Sequence, residues 1–255
     1  MTGWFSILAI GFFLGMRHAT DADHVLAVTT IVSKHRSLRH AAAIGIFWGI
    51  GHTLTILIVG GGIVLFGWVI PPHIGLSMEF SVGLMLILLG AITVWSALRH
   101  APVAAASGDT VPHTHRHGDY IHTHPHSHES RKHPHPPDRN PVAWLDRRFG
   151  RFAVYQPIRP MLIGMVHGMA GSAAVALLVM AAIRSPAASV LYLLLFGAGT
   201  IIGMMLITAV IATPFAAGSR SATVSRGLRI AAGLASLGFG LFLAWQIGFV
   251  EGLIG

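Results

Sequence analysis

Six stretches of this chain, near residues 3–33, 40–70, 78–98, 159–183, 187–214 and 227–249, are apolar over the length needed to cross a bilayer. A helix needs about 20 residues for that, at a rise of about 1.5 Å each. This property excludes most folds. Hydrocarbon offers no water to bond a backbone N–H or C=O, so runs of this kind must satisfy their own backbone as helices. Composition agrees. Of the 255 residues 53% are hydrophobic and only 10% are charged, whereas a soluble domain carries about 25% charged residues. The chain has no cysteine, hence no disulfide framework and no thiolate metal site. The apolar start at Trp4 runs directly into a polar motif with no small-residue cleavage site, so no signal peptide is expected.

The formal charge is +8. Its basic residues stand between apolar runs, which reads as membrane orientation rather than nucleic-acid binding. With the N-terminus outside, 15 of the 17 Lys and Arg face the cytoplasm, Arg184 alone faces out, and Arg17 lies within a span. Both termini are therefore expected outside, with the long polar segment 99–157 in the cytoplasm. The setting is a multi-pass inner-membrane protein.

The chain also repeats itself. "FLGMRHATDADHV" resembles "LIGMVHGMAGSAA" at an offset of 149, which matches His18 to His167. "FWGIGHTLTI" resembles "LFGAGTIIGM" at 148, matching Gly49 and Gly51 to Gly197 and Gly199. "SVGLMLILLGAITVW" resembles "AAGLASLGFGLFLAW" at 150, matching Gly83 to Gly233 and Gly90 to Gly240. Each half holds three spans, an odd number, so the second half must lie inverted. The expected fold is an all-α membrane protein of six transmembrane helices in an inverted three-plus-three repeat. Residues 1–98 form the first half, 99–157 an insert, and 158–255 the second half. Such repeats commonly hold a site at the bilayer midplane.

The stretch "GMRHATDADHV" places Arg17, His18, Asp21, Asp23 and His24 inside the first span. Of nine acids in the chain, Asp21 and Asp23 alone fall inside a span, Glu79 lying at the boundary of one. An ionisable residue at the bilayer centre costs about 2.5–3.5 kcal/mol on insertion scales, so it is rarely idle. Imidazole with carboxylate and no thiolate suits nickel, cobalt or zinc. His18, Asp21 and His24 form one stripe of a helix, yet on an unbroken helix His18 and His24 stand about 9 Å apart along the axis. The span is therefore expected to break here, or the ion to move between stations. "TDAD", from Thr20 to Asp23, has the T-x-x-D pattern of a capping box, which would make Asp23 partly a cap. Arg17 is placed to pair with Asp21 at i,i+4. His52, beside Gly49 and Gly51, which permit close helix approach, is expected to complete the site from the second span. His167 serves either as a ligand or in packing. The candidate metal residues are thus His18, Asp21, Asp23, His24, His52 and His167, with Arg17, Thr20, Gly49 and Gly51 in support.

Ten of the 17 histidines lie between His100 and His135. Within the insert, His113, His115, His117, His122, His124, His126, His128, His133 and His135 stand mostly at H-x-H spacing. Prolines and few apolar residues predict disorder there. Clustered imidazoles predict loose binding of nickel, copper or zinc, so the insert is read as a metal buffer and a docking point for nickel metallochaperones. "AWLDRRFGRF", at 143–152, is basic and aromatic and is read as an amphipathic element on the inner membrane surface.

The H-x-x-x-x-D-H spacing in "RHATDADHV" resembles the signature helix of the nickel/cobalt transporter family, and "FWGIGHTLTILIVG" resembles that family's next signature. The resemblance extends over most of the chain. It implies nickel or cobalt transport, with His18, Asp23 and His24 as signature residues and His52 from the second motif. "GMVHGMAGSAA" and "LYLLLFGAGTIIGM" are similar to the six-span, urease-accessory (UreH-like) branch of nickel permeases. The acids typical of the wider family's second half are absent here. The resulting expectation is uptake of Ni2+, or of Co2+, as substrate and without a resident cofactor, for a nickel enzyme such as urease. Two rival readings are efflux by the same fold and an intramembrane metal-dependent enzyme.

Overall fold

The structure is a computed structural model. It describes residues 2–33, 37–99, 111–117, 120–126, 155–168, 183, 185–218 and 221–254. Among them are seven α-helices: α1 (Thr2–His18), α2 (Ala22–Val32), α3 (Leu38–Phe66), α4 (Pro72–Arg99), α5 (Tyr155–His167), α6 (Pro186–Ala217) and α7 (Ala222–Trp245). A π-helical turn, Gln246–Val250, extends α7. Four segments are long and apolar enough to cross a membrane: α3, α4, α6, and α7 with its π turn, over Thr223–Val250.

The helix ends follow local chemistry. Ser37 and Ser221 accept from the backbone N–H groups of His40 and Val224, and Pro186 opens α6. These groups satisfy N–H donors that have no partner within the helix. Gly67 closes α3 in the left-handed region at φ 63°, which a side chain would resist.

The apolar stretch 3–33 is divided into two helices, as its length and polar motif predict. α1 stops at His18 and α2 starts at Ala22. Of the apolar stretch 159–183, α5 and Gly168 are described, and nearly all of the remainder lies outside the described residues.

The helices pack by removing side chains from their contacts. α3 packs on α6, α4 on α7, α1 on α6, and α5 on α3. A Cβ added to Gly15 would strike the Phe196 carbonyl, and one on Gly164 the Trp48 carbonyl. Gly51 abuts the Met161 carbonyl and Gly199 the Phe12 carbonyl. A Cβ on Gly90 would lie 2.6 Å from the Gly233 carbonyl, and one on Gly240 2.8 Å from the Gly83 carbonyl. Between apolar helices, such close backbone approach replaces the hydrophobic effect as the source of association. Each of these contacts has a counterpart 148–150 positions away. The largest buried cluster, including Ala19, Val28, Trp48, Leu86 and Met204, surrounds the break.

Within the insert, Val111–His117 and Tyr120–His126 are described and pair as antiparallel strands. Alternation of histidine with other residues is a period-two pattern, and Gly118-Asp119 is a two-residue hairpin signal. His113, His115, His117, His122, His124 and His126 fall on these strands. His128, His133, His135 and the 143–152 segment lie outside the described residues.

Candidate metal centre

The break in the first span gathers four imidazoles and a carboxylate. His18, the last residue of α1, donates from Nδ1 to Asp21 Oδ2 at 2.8 Å. A carboxylate only accepts, so this bond puts the proton on Nδ1 and leaves Nε2 with a lone pair. That Nε2 lies 2.9 Å from Nε2 of His52, in the middle of α3.

Asp23, in the first turn of α2, accepts at Oδ1 from the His24 backbone N–H and from His24 Nδ1, each at 3.0 Å. Its Oδ2 lies 3.2 Å from Nε2 of His167, the last residue of α5. The contact is close, but out of line for a hydrogen bond. The His24 ring centre stands 4.6 Å from that of His18, 4.9 Å from His52 and 4.2 Å from His167. His24, His52 and His167 are fully buried, and His18 nearly so.

Helix ends add fixed charge. α1 brings the partly negative C-terminal end of its peptides to the break, and α2 its partly positive N-terminal end. The second suits the Asp23 carboxylate and the first suits a cation. Among the described residues, His24 Nε2, His52 Nδ1 and both His167 ring nitrogens lack hydrogen-bond partners. An unsatisfied buried polar group costs about 1–3 kcal/mol, so the cluster stands against stability unless another chemistry uses it. Neutral imidazoles with one carboxylate are donors for a borderline divalent transition metal. Two triads bring one ligand atom from each member within 4.8 Å of the others: His18/His24/His52 and Asp23/His24/His167.

No family model matches the chain, and no solved structure matches it. A curated relative does: the urease accessory protein UreH of Bacillus sp. (strain TB-90) is 35% identical over 249 residues, 97% of this chain and 94% of its own length. The chain belongs to the UreH family. Membership of this accessory-permease family makes it a transport protein rather than an enzyme, which removes the intramembrane-enzyme reading.

This UreH-family chain thus brings together five of its six sequence-predicted metal residues. Asp21 is the exception: it belongs to neither triad and instead holds His18, with its side chain 41% exposed against 13% for Asp23. The expected capping box is not formed. Thr20 bonds backward to the Arg17 carbonyl at 2.6 Å, and Asp21 occupies the N-cap position of α2 without a side-chain cap bond. The reason is that α2 begins at Ala22, which puts Asp21 rather than Thr20 at its N-cap, while Asp23 turns to the imidazoles. Among the described residues the ion-pair partner of Asp21 is His18 rather than Arg17. Gly49 lets α3 approach Ile201 of α6, and Gly51 lets it approach Met161 of α5, on either side of the turn that carries His52.

Two residues of this UreH-family site escaped sequence reasoning. Phe196 lies tilted with its ring centre 5.5 Å from that of His18, and Trp48 stands edge-on 5.6 Å from His167. Both lie in the segments whose repeat is visible, at an offset of 148, so the signal was present.

Proposed function

We propose that this protein carries Ni2+, with Co2+ as an alternative cargo, inward across the cytoplasmic membrane through His18, Asp23, His24, His52 and His167, supplying a nickel enzyme such as urease. The observation that carries the reading is the convergence of four buried imidazoles and one carboxylate on a helix break. The name of the Bacillus relative, a urease accessory protein, agrees with a nickel supply role. The metal is substrate rather than a resident cofactor. A broken helix in mid-span gives a transported ion polar backbone as well as side chains. A single carboxylate leaves the site of a divalent ion short of neutral, which favours release over storage.

The reciprocal glycine contacts at offsets of 148–150 support an inverted three-plus-three arrangement of six spans. The excess of Lys and Arg in the loops supports both termini outside, with the insert in the cytoplasm. There the histidines of the insert take up arriving metal and offer it to metallochaperones. The test is nickel flux in liposomes holding the purified protein at known orientation. Uptake toward the insert side that is lost in His24→Ala is the expected result. Flux only away from that side would replace uptake by efflux, and no nickel or cobalt flux at all would overturn the reading.

A further inference from the structure

The donors at the break fall into two groups, not one. His18, His24 and His52 converge, and so do Asp23, His24 and His167. Donors on one ion lie at most twice the metal–nitrogen bond of about 2.1 Å apart, so one ion serving all five would require them to close into a single set. Instead, among the described residues, the donor atoms come within 4.8 Å of one another as these two triads and as no larger group, and the ring centres of His52 and His167 stand 6.1 Å apart. His24 is the common member, between 4.2 and 4.9 Å from each of the other three rings. It also has the chemistry a shared ligand requires. Its Nδ1 is engaged by Asp23, whereas its buried Nε2 has no hydrogen-bond partner among the described residues.

The two groups differ in charge and access. The first consists of three imidazoles, with the half-exposed carboxylate of Asp21 behind His18. The second contains the carboxylate of Asp23 and two fully buried imidazoles. Irregular backbone at membrane depth is tolerated only inside protein or along water, and an exposed carboxylate is costly in hydrocarbon. Thr20 and Asp21 therefore border an aqueous opening beside the first group, and the second group is the occluded one.

We propose that the transported ion occupies these two stations in turn, His18/His24/His52 and then Asp23/His24/His167, with His24 handed from one to the other. The proposal rests on the transport reading above and deepens it. Two divalent ions so close would repel and would compete for His24, so one ion is bound at a time. The anionic second station holds it at rest.

The test uses full-length protein in nanodiscs, titrated with Ni2+ by calorimetry and with Co2+ by visible absorption, with nickel X-ray absorption to count imidazoles. Wild type should bind one ion with two imidazoles and a carboxylate. His52→Thr, which copies the residue standing at the equivalent position, Thr200, should keep that ion and its spectrum. His167→Gln should also bind one ion, now with three imidazoles and weaker by at least tenfold. Both variants should lose transport by more than tenfold, and His24→Ala should lose binding. Retained metal binding also shows that each variant is folded. Four imidazoles on one ion in wild type would overturn the two stations while leaving nickel transport standing. So would loss of all binding in both His52→Thr and His167→Gln when circular dichroism shows native helix content. Wild type that binds neither metal would overturn both readings.

Discussion

At the scale of single residues, the site separates carboxylates by position. Asp21 and Asp23 are two residues apart, yet one holds a histidine from outside and the other faces the cluster. Removing an outer carboxylate typically costs about 10–100-fold in metal affinity or activity. Asp21→Asn should therefore lower nickel flux by about that factor while calorimetry still finds the resting ion bound, whereas Asp23→Asn should abolish nickel flux and weaken that binding. Equal effects of the two would contradict these assignments. Much of this was legible in the sequence. His18, Asp23 and His24 stood out because ionisable groups are rare inside an apolar span, and His52 because of the glycines beside it. His167 was visible only through the repeat, which left its role open. The role of Asp21 was not legible, because three-residue spacing on a helix stripe fits a ligand and an orienting partner equally well. Thr20 was misread for a related reason: a capping pattern specifies residue types, but the position of the break decides which helix receives the hydroxyl.

Elements are held by backbone contact across glycines, which makes their tolerance to substitution strongly position-dependent. At Gly15 and Gly164 a Cβ would meet a carbonyl of the facing helix, whereas at Gly61 nothing stands within 4 Å. Overpacking costs about 1–3 kcal/mol. Gly15→Ala and Gly164→Ala should each lower the melting temperature of the solubilised protein clearly, and Gly61→Ala should leave it unchanged or raise it through better helix propensity. A neutral Gly15→Ala would refute the packing account. The strand pair in the insert follows the period-two H-x-H alternation. Its register sets His113 opposite His124 and His115 opposite His122. Replacing the histidines of the insert with serine at constant length should leave the helical body folded and transporting, and should shift the half-saturating metal concentration on the insert side more than the maximal rate. Complete loss of flux would make the insert part of the conduction path.

The whole molecule was legible to the extent that apolar length and repeat specify it. The four long spans follow from hydropathy, and the break between α1 and α2 from a polar motif within an apolar stretch. The pairing of α3 with α6 and of α4 with α7 did not follow, because apolar helices carry no periodic polar face to reveal their neighbours. Orientation is open to direct measurement because the chain has no cysteine of its own. Gly75, in the first turn of α4, is partly exposed and Ser221, at the start of α7, is exposed, near what should be opposite membrane faces. On intact cells an impermeant maleimide should label Gly75→Cys and should reach Ser221→Cys only after permeabilisation. Labelling of both from outside would rule out the proposed topology.

The glycine-to-carbonyl contacts also bear on how this gene can change. Every single-base substitution that alters a glycine codon to another amino acid adds a Cβ, and at Gly15, Gly51, Gly164 and Gly199 that atom would collide with main chain rather than with a side chain that can be exchanged in compensation. A second mutation elsewhere therefore offers little rescue. Each of these glycines presses on the opposite half of the chain, so neither half is at liberty to diverge there alone. The duplicated pattern should fade last at these points, and saturation mutagenesis under nickel limitation should find them among the least permissive positions outside the histidine cluster.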